Sequence, residues 1–226
     1  MKIQYFLYSI LFSFLFYACD GMYDNIDPYY DRGEMNYLAK VDTVFTKAGK
    51  NRVQFTWLVN PDPRIRELYV NWNAGVNETT IPINFDQLGE DRYYSVILES
   101  VEEGSHIFNL HHKGNGHMSV ATEVEATSYG ELYQANIEPR SIRSITLQDN
   151  KATIIWRSVV ENCKVRITYT NVAGMISERL VIPTETNTVI EDVKPKSSFS
   201  YVSTYLPEED AIDSFSVTSE TLYFPE

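Results

Sequence analysis

From Tyr37 to its end the chain is built of short runs in which apolar and polar residues alternate, each closed by Gly, Pro, Asn or Asp. An alternation of period two places one set of side chains on each face of a strand, and no stretch shows the three-to-four spacing of an amphipathic helix. The fold class this dictates is all-β. Because the runs recur with turn residues every 8–12 positions or so, they predict a sandwich of two packed sheets rather than an open sheet.

The same series of runs occurs twice. Val53-Gln-Phe55-Thr-Trp57 matches Ala152-Thr-Ile154-Ile-Trp156, each a strand ending in Trp on its apolar side. Leu68-Tyr-Val70-Asn-Trp72 answers Val165-Arg-Ile167-Thr-Tyr169, Thr80–Ile83 answers Leu180–Pro183, and Glu103–Leu110 answers Lys196–Ser203. The last run of each half, 121–126 and 215–221, alternates as well. A Trp on the second strand, a third strand some ten residues on and an aromatic late in the unit have the spacing of fibronectin type III modules, with a generic immunoglobulin-like sandwich as the alternative. The reading is two tandem sandwiches, over 37–130 and 131–226, with their boundary near Tyr129–Glu138, where SYGELYQANIEPR interrupts the pattern.

What precedes the sandwiches has a different character. Lys2 stands ahead of an uncharged run of 16 residues, Ile3–Ala18, the charged-then-apolar layout of a secretory signal over 1–18. The run falls short of the ~20 residues that comfortably span a bilayer. Phe16-Tyr17-Ala18-Cys19 resembles a lipobox, so Cys19 is the expected lipidation site and a membrane the expected partner through that anchor. A cleaved soluble form and a retained anchor are the alternatives. Residues 19–36, rich in Asp and Glu and without apolar periodicity, read as an acidic tether. Cys163 then has no partner for a disulfide, and its alternation with Val165 and Ile167 marks it as a small core residue.

A formal charge of −12 disfavours nucleic-acid binding, which needs a basic footprint. All four histidines fall in HIFNLHHKGNGH, between 106 and 117. His111 and His112 are adjacent on a strand and point to opposite faces. His112 and His117 could meet over the hairpin, but no Cys or carboxylate at ligand spacing joins them, so no metal and no cofactor is expected. The absence of a nucleophile–base pair or of GxSxG, HExxH and CxxC motifs argues against an enzyme. With 16 tyrosines among its aromatics, the chain has flat rings to offer a polysaccharide. The candidate ligand-binding residues are Trp72 and Tyr69 with Asn71 and Asn73 beside them. Trp72 shares its face with Leu68 and Val70, so core packing competes for it.

Tyr37-Leu-Ala-Lys-Val-Asp-Thr-Val44, Gly49–Trp57, Asp62-Pro-Arg-Ile65 and Ser128-Tyr-Gly-Glu-Leu-Tyr133-Gln134 together resemble a family of Bacteroidota envelope lipoproteins known only as a domain of unknown function. The resemblance covers roughly residues 20–220 and implies association with polysaccharide-utilisation systems. It implies no catalytic residue. In that phylum an acidic segment behind the lipidated Cys resembles the signal for the outer leaflet, whereas Asp20 resembles the inner-membrane retention signal of other lineages. Surface exposure on the outer membrane is the expectation. The role expected is a non-enzymatic accessory that binds or presents glycan. The alternative is a spacer or protein-interaction scaffold, holding an outer-membrane importer or another lipoprotein, with exposed edge strands available for strand addition.

Overall fold

The computed structural model describes residues 37–226. The expectations for the segment 1–18, for Cys19 and for the tether lie outside the described residues. Leu38–Glu226 form one compact unit.

The first half contains β1 (Asp42–Ala48), β2 (Arg52–Leu58), β3 (Glu67–Trp72), β4 (Asn77–Pro82), β5 (Tyr93–Glu99), β6 (Gly104–Gly114), β7 (His117–Met118) and β8 (Thr122–Ser128). One sheet has the order β1-β2-β5, and the facing sheet runs β4-β3-β6-β7 with β8 also on β6. After a six-residue helix, α1 (Glu131–Asn136), come β9 (Ile142–Gln148), β10 (Lys151–Trp156), β11 (Cys163–Thr170), β12 (Ile176–Val181), β13 (Asn187–Ile190), β14 (Ser198–Tyr205), β15 (Phe215–Thr218) and β16 (Leu222–Tyr223). The order repeats, with β13-β10-β9 facing β12-β11-β14-β15 and β16 on β14. Every strand pairing is antiparallel. Three strands packed on a larger sheet, twice over, is the fibronectin type III-like sandwich that the spacing predicted. The sequence pattern did not reveal α1, which is too short to show a helical period.

Each sandwich closes its own core on the alternating face. In β2, Val53, Phe55 and Trp57 are buried while their neighbours Arg52, Gln54 and Thr56 are partly exposed. Ala152, Ile154 and Trp156 of β10 do the same in the second core. The first core draws on residues 38–126 and the second on residues 152–224, with no residue in common. Burying an aromatic side chain of this kind is worth about 3–5 kcal/mol against Ala. Cys163 is completely buried among the second set and is a free thiol, as its alternation predicted.

The two tryptophans satisfy their indole N–H groups differently. Trp156 donates to Thr188 Oγ1 at 2.9 Å. Trp57 donates to His112 Nε2 at 3.2 Å, and the opposite ring nitrogen, Nδ1, lies 2.7 Å from the carbonyl oxygen of Ala39. This arrangement requires a neutral imidazole protonated on Nδ1. His112 therefore bridges the core to the segment entering the first sandwich.

Arg140 plays the corresponding part in the second sandwich. Its side chain is almost wholly enclosed, yet it has no carboxylate partner among the described residues. Its guanidinium donates to the carbonyl oxygens of Ser158 at 3.0 Å, Glu185 at 2.9 Å and Ile182 at 3.5 Å and lies 5.0 Å over the Trp156 ring. The Tyr201 hydroxyl donates back to the Arg140 carbonyl at 2.7 Å, tying β14 to the strand entry in the manner of a tyrosine corner.

Candidate functional site

Residues 68, 70 and 72 of β3 face inward and residues 69 and 71 face outward, so the structure divides the four predicted ligand residues. Trp72 is 7 % exposed and packs on Phe108 with ring centroids 5.7 Å apart. It is a core residue, and the expectation that it serves as a stacking platform is corrected, because the face it shares with Leu68 and Val70 is the buried one. Asn73 belongs to the turn after β3, with φ +52, and its Oδ1 lies 3.0 Å from His106 Nδ1. That leaves Tyr69 and Asn71 on the outer face, where β3 and β6 lie side by side.

There the Tyr69 hydroxyl donates to Glu78 Oε2 at 2.5 Å. Its ring stands 5.8 Å from that of His111 and 5.8 Å from Lys113 Nζ. Asn109 Nδ2 donates to Asn71 Oδ1 at 3.3 Å. The hydrogen bond to Glu78 holds the Tyr69 phenol above its ordinary pKa. The result is a polar strip with one partly covered aromatic ring.

The histidines do not form a cluster. His112 is enclosed in the core, and burial holds its pKa below the ordinary value, against the Ala39 carbonyl and Asp62, which act the other way. His117 is exposed at the hairpin, so it and His112 do not meet. His106 and His111 are partly buried, each with Nδ1 on a neighbouring oxygen. No group of three potential metal ligands occurs among the described residues.

A concave surface does occur on the outer face of the second sandwich. Lys164 and Arg166 of β11, Leu180 of β12, Ile182 just beyond it, Val202 of β14 and Ser216 of β15 line a groove of about 580 Å³. Its floor is aliphatic, its charged groups are cationic, and hydroxyls border it. The alternation of single strands does not disclose this groove, since a groove depends on which strands lie side by side.

A densely bonded surface is the joint between the sandwiches, which the sequence reading missed. The turn between β1 and β2 meets the long loop between β14 and β15. Ile212 N donates to the Ala48 carbonyl at 2.8 Å and Lys50 N to Asp213 Oδ2 at 2.7 Å. Arg52 grips the same carboxylate with Nε and Nη2, both at 2.7 Å. This fork-on-carboxylate geometry gives strength as well as a fixed direction. Hydrogen bonding from Arg52 holds the Asp213 carboxyl below its usual range. Gly49 sits inside the contact, where a Cβ would come within 2.8 Å of Ile212 Cγ1 and Asp213 Oδ2.

The helix α1 completes the joint. Glu103 of the first sandwich accepts from Leu132 N and Tyr133 N, each at 2.7 Å, which satisfies amides that a helix start leaves unbonded. Burial works against it, but these amides hold the Glu103 carboxyl low. On the other side, the Tyr133 ring packs edge-on against Phe215 at 4.9 Å and against Tyr129 at 4.9 Å. Gln134 Nε2 donates to the Ser216 carbonyl at 3.0 Å. A short helix thus bonds to one sandwich by its start and to the other by its side chains.

The family model DUF4998, described as a domain of unknown function, matches residues 19–215. Among solved structures, the chicken CNTN1 FN1-FN3 domains align with a TM-score of 0.47 and 12% identity, over 83% of this chain and 65% of that one. This chain thus spans about two thirds of that structure's length. A two-domain fibronectin type III segment of chicken tenascin aligns with a TM-score of 0.33 and 16% identity, over 80% of this chain and 99% of that one. The chicken interferon gamma receptor alpha chain gives a TM-score of 0.33 and 12% identity, over 83% and 99%. No curated protein matches the sequence.

Proposed function

For this chain, which belongs to the DUF4998 family, we propose a non-enzymatic role as a two-module scaffold of the cell envelope, tethered by lipid on Cys19 and presenting its sheet faces to a partner. The observation that carries the reading is the joint. Two sandwiches that served only as separate binding beads would need no more than a linker between them. Here a bidentate Arg52–Asp213 pair and a capped helix hold the second sandwich in one orientation on the first. Fixing that orientation is what a spacer or presenting scaffold requires, and it lowers the entropy lost when a partner spans both modules.

The test has two arms. Palmitate labelling of cells expressing the intact chain, compared with Cys19→Ser, reads the anchor, and surface proteolysis of intact cells reads the leaflet. Loss of labelling in the variant and cleavage at the surface are expected. An unlabelled intact chain would sink the lipoprotein reading, and full protection from protease the surface reading. Accessory glycan binding within a polysaccharide-utilisation system is a second reading, supported by the outer strip of Tyr69, Asn71 and Asn109. Retardation of the 20–226 segment in polysaccharide affinity gels, lost in Tyr69→Ala, is its expected signature. Equal mobility with and without every polysaccharide would remove it.

A further inference from the structure

The internal repeat supplies its own control for one feature. β4 and β12 are the same strand in the two sandwiches, and each pairs with a single neighbour among the described residues, β3 and β11 respectively. On β4 the outward side chains are Glu78, Thr80 and Pro82, a guarded edge with polar groups and a proline that cannot donate. On β12 and the residue beyond it, the outward side chains are Ile176, Glu178, Leu180 and Ile182. The three aliphatic ones are 79%, 60% and 59% exposed. The main-chain oxygen of Leu180 takes a hydrogen bond from its neighbour's guanidinium, that of Arg179, where the inside of a sheet would supply a strand.

We propose that β12 is a docking edge for a second copy of this chain, the two β12 strands pairing antiparallel about a two-fold axis through Leu180. The charges select both occupant and register. With Leu180 opposite its own copy, Glu178 lies opposite the second copy's Ile182, and Lys164 stands beside that Ile182, lining the same groove. Glu178 of each copy and Lys164 of the other then reach toward one another over Ile182, once on each side of the axis. Among the described residues of a single chain Glu178 pairs with Arg166, 3.9 Å away and largely exposed, so its carboxylate remains available. An axis one residue earlier would oppose Arg179 to itself. In the register through Leu180 it faces Val181 instead. The proposal goes beyond the scaffold reading and does not depend on the lipid anchor.

An interface confined to one strand and its flanking side chains is small, so its dissociation constant falls at about 0.1 mM. Sedimentation equilibrium of the 20–226 segment, with both cores complete, is expected to show a dimer that builds up with concentration. Glu178→Lys and Lys164→Glu should each weaken it about tenfold, and the two reversals combined in one chain should restore it. Leu180→Cys should form an interchain disulfide, because directly opposed Cα atoms in a hydrogen-bonded pair are about 5.5 Å apart. Ile176→Cys, out of register, should not. A monomer up to about 1 mM, a double reversal no better than either single one, or equal cross-linking at 176 and 180 would overturn the proposal. So would a β12 edge that takes up only strands of unrelated proteins.

Discussion

Replacing Asp213 by Ala tests whether the two sandwiches are held or merely adjacent. The substitution deletes the acceptor of three hydrogen bonds of 2.7 Å, two from the Arg52 guanidinium and one from Lys50 N. Charge-assisted bonds are worth about 1.5–3 kcal/mol each in favourable settings. The Arg52 and Asp213 side chains retain 31% and 21% exposure, so solvent screening lowers this, and Arg52 keeps Glu99 at 3.3 Å. A net loss of about 2–3 kcal/mol in docking follows. Because the cores share no residue, the loss belongs to local opening rather than to global unfolding. Amide hydrogen exchange reads it directly. Ile212 N, whose own acceptor is the Ala48 carbonyl, should exchange about 30- to 150-fold faster, at 1.4 kcal/mol per tenfold, while the amides of β2 and β10 keep their rates. The same contribution is present above the unfolded carboxyl pKa of about 3.9 and is lost as pH falls toward the lower folded value. A change below about threefold at Ile212 would refute the claim that this pair holds the joint. Equal acceleration in β2 and β10 would show that the sandwiches open as one.

Arg140→Ala should cost the second sandwich about 3–5 kcal/mol, from carbonyls left without donors and the lost contact over Trp156, read as a fall in that module's melting transition with the first unchanged. Thermal stability of the first sandwich should fall as pH drops below about 6.5, because buried neutral His112 binds a proton less readily folded than unfolded. His112→Gln should flatten that dependence, and an unchanged pH slope would discount the network. Trp72→Ala should lower first-sandwich stability by about 3–5 kcal/mol; a fold as stable as the wild type would return Trp72 to the list of surface platforms.

The sandwiches were legible because burial alternates with the pleat. Val53, Phe55 and Trp57 disclose their face without reference to any other strand. Trp72 disclosed its face as well, through Leu68 and Val70. Its aromatic character suggested a platform, but position outweighed chemistry. The joint was not legible, for a different reason. Arg52 and Asp213 are 161 residues apart and sit in segments that each read as ordinary polar surface. Nothing local distinguishes them. Arg140 lies in the interruption between modules, where a charged residue after a proline reads as linker, and only the closing of three strand ends around it makes it interior. His112 was hidden by its neighbours, since four histidines in one hairpin draw attention to metals rather than to a single ring bonded beneath a tryptophan.

Cys163 opens β11 opposite Tyr205 of β14 with no surface of its own, and burial pushes its thiol above the ordinary pKa. A thiol that is both enclosed and protonated is chemically silent toward alkylating reagents. It reacts only when the second sandwich separates its sheets, whatever the first is doing. The chain therefore carries a built-in clock for the opening of one module, whose labelling rate counts the excursions of the second sandwich alone.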